Sequence, residues 1–145
     1  MAKLIFLANL GATLYMVGLI WFVQIVHYPL FSEVQRPDFG TYEALHSQLT
    51  TLVVMPPMLI ELGTAILLLW FRPAQLPGWS VWLGLALVLL IWASTFFLQV
   101  PQHTTLAAGF DDAAHRFLVI SNWLRTAAWS LRGLLVLWWT ALLIS

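Results

Sequence analysis

Residues 81–100, VWLGLALVLLIWASTFFLQV, run for twenty positions without a charged side chain. A bilayer's hydrocarbon core is about 30 Å thick and takes about 20 helical residues to cross, so this stretch predicts a membrane span. Working outward, the same reading recurs on both sides, and the predicted spans are about 4–27, 46–71, 79–100 and 114–144. The first follows Lys3 as a signal peptide would. Its apolar run of about 23 residues exceeds the 7–15 of a signal core, so it reads as a retained span. Composition agrees: 61% of the chain is hydrophobic and 8% charged, against about 25% charged in soluble domains. The predicted fold is all-α, a polytopic four-helix bundle forming one membrane domain over residues 1–145.

Six basic residues balance six acidic ones, and no basic run is present to grip nucleic acid. With no cysteine, disulfides, thiolate metal sites, Fe–S clusters and cysteine nucleophiles are excluded. A metal would have to be held by His, Asp and Glu. The connections 28–45 and 101–114 emerge on one membrane face, and residues 72–78 on the other together with both termini. Lys3 and Arg72 flank the second face, Arg36 and Arg116 the first, so the basic residues tie. Lys3 and the free amine place the termini in the cytoplasm under the positive-inside rule, which for a bacterial chain means the inner membrane.

The halves of the chain resemble each other. Phe22-Val23-Gln24-Ile25 parallels Phe97-Leu98-Gln99-Val100, and each is followed by a proline and a histidine. Gly40, Glu43 and His46 parallel Gly109, Asp112 and His115. A duplicated helical hairpin, its halves related by an axis along the membrane normal, would set equivalent residues opposite one another.

The four histidines carry the chemistry. His27 ends the first span, His46 opens the second, His103 follows the third and His115 opens the fourth, so all four lie at one membrane level. Glu43 and Asp112 precede His46 and His115 by three residues, a spacing that shares one helix face. Paired Glu-x-x-His helices hold two metal ions in carboxylate bundles. The predicted ligands are His27, Glu43, His46, His103, Asp112 and His115. Such a nitrogen-rich set suits Cu, Zn or Fe, as one ion or two. Binding needs neutral imidazole, so affinity would fall below about pH 6.5. Haem b, ligated by two of the histidines, is the alternative. Acids in a first helical turn also serve the helix dipole, which is the structural reading of the same motifs.

A polar stripe runs below this level. His115, Leu118, Asn122, Arg125, Trp129 and Arg132 share one face of the last span, and Glu43, His46, Thr50, Val54, Pro57 and Glu61 one face of the second. Charges at such depth cost about 2.5–3.5 kcal/mol each even on lenient scales, so they should turn inward and pair. Glu61 can reach Arg132 or Arg125, and one arginine remains for an anionic ligand. Gln24, Gln99, Asn122, Glu61, Arg125 and Arg132 are the candidate cofactor-binding positions. Pro56 and Pro57 predict a kink in the second span.

The segment VPQHTTLAAGFDDAAHRFLVISNWLRTAAWSLRG, with V-P-x-H-x-x-L over Val100–Leu106, resembles small bacterial four-helix membrane proteins and is similar to the anthrone-oxygenase-like family. That resemblance implies oxidoreductase chemistry and no particular functional residue. The predicted function is a metal-dependent membrane oxidoreductase with a hydrophobic small-molecule substrate. Alternatives are a haem protein, or a non-catalytic subunit of a larger membrane complex or homo-oligomer.

Overall fold

A computed structural model describes all of residues 1–145, which form helices and no strands. The α-helices are α1 (Ala2–Phe22), α2 (Phe39–Phe71), α3 (Gly78–Ser94), α4 (Val100–Ala107) and α5 (Asp112–Ile144). They make four rods, Ala2–Glu33, Arg36–Phe71, Gly78–Ala107 and Asp112–Ile144, each long and apolar enough to cross a membrane. Two wide π-helical turns, Val23–His27 and Thr95–Gln99, interrupt the first and third rods. Each contains one of the paired glutamines, so the likeness between the halves extends to this local irregularity.

Local chemistry sets the rod ends. Gly109 takes φ +140°, a conformation open to a residue without Cβ, and ends the third rod. Asp111 then caps α5, its carboxylate accepting from the Ala114 amide at 2.7 Å. Inside α2, Pro56 and Pro57 each lack an amide proton, yet the helix runs unbroken from Phe39 to Phe71.

The rods pack in a ring. α1 lies against α2 and α5, and α3 against the same two, which leaves α2 diagonal to α5. Polarity is inverted relative to a soluble bundle. Asn9, Thr13, Gln24, Glu43, Glu61, Gln99, Asn122, Arg125 and Arg132 are buried, while Leu52, Val53, Leu59, Ile60 and Phe97 are exposed. Such a surface suits hydrocarbon, and a lipid bilayer is the environment these helices fit.

At the centre, Glu61 and Arg132 pair at 2.8 Å and are sealed from solvent. Glu61 also accepts from Thr13 Oγ1 at 2.7 Å and Trp129 Nε1 at 3.0 Å. Arg132 donates its other nitrogens to the Gly84 carbonyl at 2.7 Å and to Asn9 Oδ1 at 3.0 Å. All four rods therefore meet in one closed network, with both charges neutralised and hydrogen-bonded. Of the two arginines within predicted reach of Glu61, it is Arg132 that pairs. Each nitrogen of Arg132 and each carboxylate oxygen of Glu61 is engaged within the network, so the two side chains tie the helices together.

Candidate metal and ligand site

The histidine end is built by all four rods and closed by an aromatic plug. After His27 the chain turns through Pro29–Glu33, which folds Phe31 back into the bundle mouth, fully buried. Its ring centroid lies 5.0–6.4 Å from those of His27, His46, His103 and His115. The four imidazoles do share one level, and a phenyl ring occupies the middle of it.

Around that plug the groups separate. Glu43, His46 and His103 bring one donor atom each to within 4.8 Å of one another. His103 Nδ1 lies 2.5 Å from Glu43 Oε1 and its Nε2 lies 3.0 Å from the Tyr28 hydroxyl. Ser47 donates to the same Glu43 oxygen at 3.1 Å. Glu43 Oε2, on a carboxylate with no exposed surface, has no partner. His46 Nδ1 meets His27 Nε2 at 2.9 Å and Thr50 Oγ1 at 3.1 Å, leaving its other nitrogen free. A buried carboxylate oxygen without a partner, beside a free imidazole nitrogen, is a place a cation would satisfy.

The predicted six-ligand set does not assemble. Asp112 instead faces outward, paired with Arg36 at 3.3 Å, both side chains over 60% exposed. Arg36 lies over the Phe110 ring, 4.6 Å from its centroid. With Asp111 acting as the cap, Asp112 sits on the outer side of the first turn and does not face Glu43 across the bundle. His115 gives its Nε2 to the Tyr28 carbonyl at 2.8 Å and is separated from the trio by Phe31. His27 supports His46 from the side. The structure thus gathers a single trio of donors, Glu43, His46 and His103.

The glutamines reinforce the scaffold. Gln24 donates to the Val119 carbonyl at 3.2 Å and accepts from Asn122 at 2.9 Å, and Gln99 donates to Ser121 at 3.1 Å. Both lean on α5, so their contacts do not follow the proposed two-fold. Beside the trio lies a cavity of about 470 Å³, whose walls include His46, His103, Tyr28, Gln99 and Arg125. Its volume is that of a small-molecule site. Tyr28 and Phe31 were not among the sequence candidates. The aromatic residues of the connection, Tyr28 and Phe31 with Phe39 and Tyr42, were the available signal.

Comparison with family models, with curated proteins and with solved structures returns no match.

Proposed function

We propose that the protein is a metal-binding integral membrane oxidoreductase acting on a hydrophobic small molecule, with the ion held by Glu43, His46 and His103. The observation behind this reading is the buried, half-unpartnered Glu43 in a trio of donors that adjoins the cavity. Two imidazoles and one carboxylate, with positions left open, are the donor set of non-haem iron(II) oxygenases. Iron is therefore the first expectation, ahead of copper and zinc. A bound ion would supply redox electrons and open coordination positions. The chain supplies the rest. Glu43 and Tyr28 hold the His103 ring from its two nitrogens, and an ion taken by His103 would replace one of these two hydrogen bonds while the other keeps the ring oriented. Phe31 screens these groups from water at the loop face. The resemblance to the anthrone-oxygenase-like family points toward the same chemistry, and we place the chain in a bacterial inner membrane with cytoplasmic termini.

The test is elemental analysis and a visible spectrum of protein purified after metal-replete expression. About one ion per chain is expected, lost in Glu43→Gln and His46→Ala and kept in Asp112→Asn. A Soret band would assign haem b instead. Colourless, metal-free wild type would overturn the reading in favour of a non-catalytic subunit.

A further inference from the structure

Arg125 is the charge that the bundle leaves alone. It is 7% exposed, no carboxylate lies within ion-pairing distance, and its Nε is sealed without a partner. The Trp129 ring centroid lies 5.3 Å from its guanidinium carbon, and Tyr28 lines the same cavity. A lone cation at membrane depth is costly and marks a functional position. Arg132, two turns further along the same face, has Glu61 and a full set of acceptors. No carboxylate in the protein offsets Arg125. It does, however, line the cavity.

We propose that this cavity binds an apolar molecule carrying a single oxyanion, a carboxylate or a phenolate, with its head on Arg125 and the Tyr28 hydroxyl. The planar guanidinium fork matches a carboxylate with two parallel hydrogen bonds, or one oxyanion with two converging ones. The body of the ligand lies among Trp92 and the two methionines Met16 and Met58, whose flexible thioethers adapt to varied shapes. The rim is made by Thr51 on the second rod and Phe96, Val100 and Thr104 on the third, all of them exposed. The mouth therefore opens sideways between two rods toward the bilayer, while Phe31 and Phe39 close the loop end. Ligand enters from the lipid.

This inference rests on the functional reading in one respect, that the cavity is the ligand chamber, and it needs no metal. It is therefore tested on intact chelator-treated protein in lipid nanodiscs, where failure of the metal site does not touch it. The probes are a medium-chain fatty acid, its methyl ester, a 4-alkylphenol and the matching anisole, titrated by calorimetry. Wild type should bind at least one oxyanion-forming probe tenfold or more tighter than its neutral partner. Which pair shows the preference identifies carboxylate or phenolate. Arg125→Met should abolish that preference while keeping affinity for the neutral probes, and should melt no lower than wild type, because an unpartnered buried cation has been removed. Equal affinity for both members of both pairs in wild type would overturn the proposal, and that comparison requires no variant to fold. A preference retained in Arg125→Met would overturn it as well.

Discussion

Glu61 and Arg132 belong to diagonally opposed helices, and their side chains meet at 2.8 Å across the axis of the bundle. No pair of adjacent helices makes this contact, so its loss loosens the whole ring. Glu61→Ala should destabilise by about 3–5 kcal/mol, since it leaves a buried cation alone. The joint Glu61→Leu, Arg132→Met variant should recover most of that loss. Thermal unfolding in detergent checks both, and a fully stable Glu61→Ala protein would show the pair to be unimportant.

Gly84 gives Arg132 its place. A Cβ there would lie 2.8 Å from Arg132 Nη1 and 2.9 Å from the Trp139 ring. Trp139 cannot yield freely, because it is buried and donates to Ser80 at 2.9 Å. Gly84→Ala should cost about 1–3 kcal/mol by overpacking, more than alanine's helix propensity of about 1 kcal/mol returns. Gly63→Ala, where nothing lies within 4 Å, should be neutral or stabilising. Melting temperatures of the two variants should thus move apart.

The two acid-x-x-His motifs should separate in function. Asp112→Asn removes an exposed ion pair and should change stability by less than about 1 kcal/mol, with metal content unaltered. Glu43→Gln alters a fully buried group and should empty the site. Equal effects of the two substitutions on metal stoichiometry would mean that the duplicated pattern, rather than the observed asymmetry, governs binding.

Two imidazoles and a carboxylate must be unprotonated to hold a cation, so protons compete with metal. Acidification should weaken binding, and alkalinisation should strengthen it until the ligands are fully deprotonated, beyond which it should level off. Across the acid range the dissociation constant should rise by about tenfold to a hundredfold per pH unit, corresponding to one or two protons per ion. Chelator competition at stepped pH measures the slope, and a flat profile would exclude histidine ligation.

The four long apolar helices, the common level of the histidines and the Glu61–Arg132 pair were legible because depth follows from 1.5 Å per helical residue and inward faces from the spacing of polar groups. Asp112 shows where that reasoning stops. Spacing of three puts it on one face with His115 but does not say which way the first turn points. That direction is set by the Asp111 cap and by Arg36 reaching over from a connection. Phe31 was hidden for a similar reason, since a tight turn after Pro29 returns it into the bundle and no periodicity governs connections. That one arginine would be left over was legible, that it is Arg125 was not, and neither was its cavity, because a void is a property of all four rods together.

The wide turns at Val23–His27 and Thr95–Gln99 are each one residue longer than an α-helical turn would be. One residue is about 100° of rotation, so each acts as an angular gear between the membrane half of its rod and the histidine half. Below the wide turn, Met16 and Ile20 face the core; within it Gln24 faces α5 and His27 faces α2. Deleting a single residue there, such as Val26, would let the turn close to an α-helical one and leave His27 and Tyr28 facing inward. The wide turn is thus where the rod absorbs an odd residue without turning its histidine end away from the ring.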